Sequence, residues 1–124
     1  MTPLAWIGFV AAAAFGAPLR YAVDSYVGDR VEGAFPWGTI VINATGSLAL
    51  GFLTGLALYH AFPNTPKVIL GTGFCGAYTT FSTFTFETVR LVEEGAIDEA
   101  FRNAAGTLLT CAAAAAHGLA LAAI

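Results

Sequence analysis

Charged residues fall in clusters, and between the clusters lie four runs that have none: residues 2–19, 34–59, 68–86 and 103–124. Each run is about as long as the roughly 20 residues an α-helix needs to cross a bilayer. The charges occupy the gaps: Arg20, Asp24, Asp29, Arg30 and Glu32, then Lys67, then Glu87 through Arg102. Hydrocarbon offers no water to backbone N–H and C=O groups, so apolar runs of this length are helices. Barrel strands would alternate polar and apolar residues over segments of about 10, and these runs do not. The pattern predicts an all-α membrane protein: one domain over residues 1–124, four transmembrane helices, both termini on one side. The first run has no Lys or Arg before it and three comparable runs after it, which argues against a signal peptide. Pro36 marks the start of the second helix, where a missing N–H is tolerated. Pro63, Asn64 and Pro66 form the turn before the third.

Composition narrows the class by exclusion. Of 124 residues, 57% are hydrophobic and 10% charged, with mean hydropathy +0.73. Soluble domains carry about 25% charged residues, so a soluble enzyme is excluded. A net charge of −3 leaves no basic footprint for nucleic acid. The chain reads as a multi-pass membrane protein, surrounded by lipid and small enough to need a partner copy. Only Lys and Arg set orientation, and the bias is small: Lys67 on the side of the termini, Arg30, Arg90 and Arg102 on the other, with Arg20 nearer the membrane. So weak a bias predicts insertion both ways up. Gly51 and Gly55, Ala12 and Gly16, and Ala112 and Ala116 are pairs four apart, a spacing that lets helices approach closely in lipid. Cys75 and Cys111 have neither disulfide nor metal-site spacing and read as small buried hydrophobes.

The informative residues are the polar ones at membrane depth. Asn43 lies well inside the second run, with Thr39 one turn before it and Gly46 one turn after. Its amide has two readings, an interhelical hydrogen bond or a donor lining a pore. The third run reads GTGFCGAYTTFSTFTFE over residues 71–87. Gly and β-branched Thr are weaker helix formers than Leu or Ala, so a helix through Gly76–Thr80 is expected to break. A break frees carbonyl oxygens, which coordinate cations such as Na⁺, and begins a half-helix whose N-terminus favours anions. Phe81 and Phe84 then share a helix face, flanked by Ser82, Thr83 and Thr85. They read either as packing or as ring edges, electropositive at the rim, lining an anion path. In the fourth run Asn103, Thr107 and Thr110 or Cys111 fall on one face, a polar track or a cap with local Thr bonding. Arg20 has Asp24 four residues on; it reads as a snorkelling interfacial charge or as a vestibule cation drawing anions inward. Glu87 has Arg90 within one turn, and His60 and His117 sit near the ends of runs.

Three segments carry a resemblance: GAPLRY at 16–21, GTIVINATGS at 38–47 and GFCGAYTTFSTFTFE at 73–87. On these, the chain resembles the Fluc (CrcB) fluoride-channel family over essentially its whole length. The resemblance implies a dual-topology antiparallel homodimer with two fluoride pores and a structural sodium ion at the dimer centre, held by carbonyls from a broken third helix. It implies Gly76 and Thr79 as those carbonyls. Phe81 and Phe84 become the pore aromatics, Asn43 a pore donor, and Ser82 and Thr83 pore-side hydroxyls, while Arg20 becomes the vestibule cation. Thr39 and Thr107 join the pore, and Asn103 and Cys111 depart from the family's usual aromatic or hydroxyl. The implied function is passive export of fluoride. Fluoride is small and tightly hydrated, so selecting it requires donors that replace its water without trapping it.

The rival of another class is a small dual-topology drug/proton exchanger, which also has four short spans. Its chemistry needs a membrane-embedded carboxylate. The first run has no acid before Asp24, and Glu87 lies at the end of a run. A structural subunit without transport is a third reading, disfavoured by the hydroxyl-rich third run.

Overall fold

A computed structural model describes residues 1–124, all helix and connection with no strand. The chain forms α1 (Pro3–Gly28), α2 (Trp37–Tyr59), α3 (Asn64–Lys67), a π-helix π1 (Val68–Cys75), α4 (Gly76–Tyr78), α5 (Ser82–Glu93) and α6 (Ile97–Ala122). Thr2 caps α1 by accepting the Ala5 amide at 3.2 Å, with Pro3 at the first helical position, where its fixed φ suits a helix start. Asp98 and Glu99 stand in the first turn of α6, where the helix dipole favours acids.

Two helix ends depart from the charge pattern. Helix α1 continues past Pro18 and carries Arg20 and Asp24 within it, and α6 begins six residues before the last uncharged run. A charge at a helix end that reaches water does not stop the helix; only capping or φ/ψ chemistry does. Gly95, at φ +80° between α5 and α6, supplies such a stop.

Three helices, α1, α2 and α6, are long and apolar enough to cross a membrane. The third run, where a broken helix is expected, is a chain of pieces from Asn64 to Glu93 rather than one long helix. The turn at Pro63–Pro66 runs directly into π1 as the single helical turn α3. Helical backbone persists through Gly76 (φ −63°, ψ −36°) and is lost at Thr79 (φ −79°, ψ 165°). The irregular residues are Thr79, Thr80 and Phe81, so the helix is lost at the C-terminal end of the weak stretch Gly76–Thr80.

Small residues set the helix pairing. A Cβ on Gly51 would strike the Ala115 backbone, and one on Gly118 would strike the Leu48 carbonyl and Phe52 amide. Gly51 thus sits against Ala115 and Gly55 against Leu119 and Ala122, so α2 runs parallel to α6. His60 Nε2 lies 2.8 Å from the Ala122 carbonyl and ties their ends. Gly8 meets Ile69 and Gly16 meets Phe74 and Tyr78, so α1 runs parallel to π1–α4. Met1 and Ile124 end up at the same end of the fold. Ala112 and Ala116, expected as a contact pair, are exposed; the α6 seam is Ala115, Gly118 and Ala122, because the helix is rotated by one position. Gly118→Ala is expected to lower the melting temperature in detergent, an overpacking cost of about 1–3 kcal/mol. Gly106→Ala, whose Cβ meets nothing within 4 Å, should raise it.

Candidate functional site

The site is built around the interruption at Thr79–Phe81. Leaving the helix strands backbone groups that need partners in an apolar interior. Asn43 on α2 supplies them: its Nδ2 donates to the Thr80 carbonyl at 2.9 Å and its Oδ1 accepts the Thr80 amide at 2.8 Å. With the Thr80 N–H turned to Asn43, the Gly76 carbonyl loses its i+4 donor. Arg20 reaches across from α1 and donates to the Thr79 carbonyl at 3.1 Å. Gly46 lets the segment come this close, since a Cβ there would overlap the Thr79 methyl. Thr80 Oγ1 takes the Thr83 amide at 3.2 Å and so caps α5.

Two hollows flank this bracket, with Thr80 in the wall of both. The first, about 310 Å³, brings together Asn43, Ser47, Thr79, Phe81, Phe84, Thr107 and Cys111 from α2, the interruption, α5 and α6. The Phe81 and Phe84 rings have centroids 6.0 Å apart at 45°. Thr107 donates to Asn103 Oδ1 at 3.3 Å, Asn103 Nδ2 donates to Thr88 Oγ1 at 2.8 Å, and Thr88 donates to the Phe84 carbonyl at 2.8 Å. Asn103 is fully buried two turns into α6. It neither caps the helix nor lines the hollow; it ties α6 to α5.

The second hollow, about 210 Å³, gathers Arg20, Tyr21, Asp24, Thr39 and Thr83. The spacing-based pairing of Arg20 with Asp24 is not made: Arg20 bonds Thr79, and Asp24 packs against Gly38, which has no side chain to block it. Arg90 likewise pairs with Glu94 at 3.7 Å rather than Glu87. Ser82 is exposed, with its hydroxyl 3.4 Å from Thr80 Oγ1, and Gly76 is exposed on the outer face of α4. Neither lines the two hollows. A larger hollow of about 700 Å³ lies near the starts of α2 and α6, among Glu32, Trp37, Glu99 and Arg102. It holds Thr110, the alternative to Cys111 in the expected polar track, and no other expected site residue. No three His, Cys, Asp or Glu side chains converge as a metal site.

Sequence reasoning missed Thr80, Thr88 and Ser47. Ser47 carries a legible signal, since it stands four residues after Asn43 and shares its helix face. Thr80 and Thr88 carry none, because their importance lies in partners on other helices. Tyr78 is buried, stacks on Phe74 at 5.8 Å and places its hydroxyl 2.9 Å from Thr45 Oγ1, another clasp between α4 and α2.

A family model described as CrcB-like protein, Camphor Resistance (CrcB), matches residues 7–119. A Frankia casuarinae protein named fluoride-specific ion channel FluC 1 is 48% identical over 122 residues, covering 94% of this chain and 95% of the relative. A Streptomyces avermitilis protein of the same name is 46% identical over 114 residues, covering 92% of each. A fluoride-specific ion channel FluC of Methanocaldococcus jannaschii is 43% identical over 97 residues, covering 78% of this chain and 77% of the relative.

Proposed function

Since the chain belongs to the CrcB family, we propose that it is a fluoride channel whose ion path runs through the hollow between Asn43, Phe81, Phe84 and Thr107. It is a multi-pass membrane protein and not an enzyme. The observation that carries the path is the hollow itself. It collects an amide, hydroxyls and two aromatic rings from four segments, with no charged side chain in its wall. Weak, serial partners of this kind replace a tightly bound water shell without holding the ion. Arg20 and Thr39, in the hollow on the other side of Thr80, form the approach, with Arg20 drawing the anion in. Thr83 lines that approach at the head of α5, and Ser82, exposed beside it, would join the path where a second copy covers it.

The pieces from Asn64 to Glu93 act together as the fourth span, interrupted at depth. The working unit is an antiparallel, dual-topology homodimer with two pores. Phe81 is 76% exposed in one copy, and a second copy would cover it and close the hollow. Sodium at the dimer centre fits the donor set. The Gly76 carbonyl has no i+4 donor, and Gly76 has no Cβ to hold a partner away. The Thr79 carbonyl keeps a second lone pair beside the Arg20 bond. When bound, sodium would be coordinated by the Gly76 and Thr79 carbonyls and offset the partial negative charge that the interruption leaves on them.

The drug/proton exchanger is not favoured. Its embedded carboxylate has no counterpart in the hollow, and the relatives carry the fluoride-channel name. Purified protein in liposomes is expected to release fluoride far ahead of chloride with no proton gradient. Equal release of the two, or flux that needs a proton gradient, refutes the reading. Choline replacing sodium throughout preparation should abolish that flux and the dimer on sizing; persistence of both removes the sodium site. A single-Cys tag at the C-terminus should label from both membrane faces, and one-sided labelling removes dual topology.

A further inference from the structure

We propose that Ser47 is a fluoride-contacting residue that passes the ion from the Asn43–Phe81–Phe84 hollow into a second hollow along the α2–α6 seam, an inference that rests on the fluoride-channel reading. Ser47 lines both spaces. The seam hollow is about 330 Å³ and is walled beyond Ser47 by Leu50, Thr54, Ala115, Ala116 and Leu119. Because α2 and α6 run parallel, it continues the first hollow toward the end of the fold that carries the termini.

The donors settle which residue serves there. Around the first hollow, the Thr79 hydroxyl donates to the Cys75 carbonyl at 2.8 Å, that of Thr80 to Thr83 Oγ1 at 3.0 Å, and that of Thr107 to Asn103 Oδ1 at 3.3 Å. One N–H of Asn43 is held by the Thr80 carbonyl. The donors left unspent in its wall are the second Asn43 N–H, the Ser47 hydroxyl and the weak S–H of Cys111. In the seam hollow, Thr54 gives its proton to the Leu50 carbonyl at 2.8 Å, and the remaining walls are Leu, Ala and Gly51. Thr45 and Thr54 on the same helix are back-bonded to carbonyls three or four residues earlier; Ser47 makes no such bond and keeps its proton available. Standing one turn after Asn43, it is the next strong donor an anion meets, and without it a tightly hydrated ion would enter an apolar wall unsolvated. A single neutral hydroxyl is also weak enough to release the ion.

The test is fluoride efflux from liposomes loaded with wild type or Ser47→Ala, at matched dimer on sizing and with melting temperatures measured in parallel. Deleting one hydroxyl removes a hydrogen bond to a charged ion, so flux should fall about tenfold or more with melting unchanged. A role in packing alone gives the opposite sign, since alanine is smaller and widens the passage, leaving flux equal or higher. Ser47→Ala flux at or above a fluoride-conducting wild type overturns the Ser47 assignment and leaves the channel reading intact. A wild type that moves no fluoride overturns the channel reading, and this inference with it.

Discussion

Asn43→Asp is expected to cut fluoride efflux at neutral pH by about a thousandfold and to restore part of it as the pH falls. Two effects combine. An ionised carboxylate would face the passing anion; at 4 Å and an effective dielectric of about 20, like charges repel by roughly 4 kcal/mol, close to a thousandfold. The carboxylate also cannot donate to the Thr80 carbonyl. Where Nδ2 now lies 2.9 Å from that oxygen, two acceptors would meet, an uncompensated polar contact of about 1–3 kcal/mol. The shape match between Asn and Asp therefore does not make the change silent for folding, since Asn43 supports the interruption as well as facing the hollow. Protonation at acid pH returns an O–H donor, so lower pH should recover both stability and flux. Efflux at neutral and acid pH, normalised to intact dimer and read beside the melting temperature, separates the terms. Wild-type flux per dimer at neutral pH would take Asn43 out of the ion path and leave it only the bond to Thr80.

Phe81→Ile and Phe84→Ile should each lower fluoride flux about tenfold or more, the scale of roughly 1.4 kcal/mol for a lost aromatic edge contact. Phe81 is the sharper test. Its ring is 76% exposed in one copy, so Ile removes little packing within the subunit, and a fall in flux at unchanged melting isolates the electropositive ring edge. Phe84 is less exposed, so its replacement removes more packing within the subunit and some loss of stability accompanies it. Full flux through both variants, with any loss tracking stability, returns the rings to the role of packing.

Much of the site was legible because it rests on residues whose chemistry is out of place. Asn43 stands out as an amide in an uncharged run, and the TTFSTFT stretch stands out as hydroxyls and aromatics where a spanning helix wants Leu and Ala. Both lead to the same hollow. Charge spacing misled more often. Arg20 and Asp24 are four apart, the geometry of a helical ion pair, yet a backbone carbonyl on another segment takes the guanidinium. Helix-surface pairs are worth only about 0.2–0.5 kcal/mol, so a stronger tertiary partner overrides them. Asn103 reads from its position as a cap, but α6 starts at Ile97 and places it inside the helix, against Thr88.

The sequence by itself determined the membrane environment, the helical class and the position of the irregular stretch within the chain. Burying backbone in hydrocarbon admits few solutions, and weak helix formers show in composition. Only the tertiary structure decided where each polar group spends its hydrogen bonds. Backbone groups released at Thr79–Phe81 must be paired, and the partners that α1 and α2 bring, Arg20 and Asn43, set where the helix stops. The same packing ties up the hydroxyl protons of Thr79, Thr80 and Thr107 while leaving that of Ser47 free. Donor availability depends on neighbours across helix interfaces, and the close approach of those helices is set by glycines at 46, 51 and 118, whose effect depends on which backbone lies opposite.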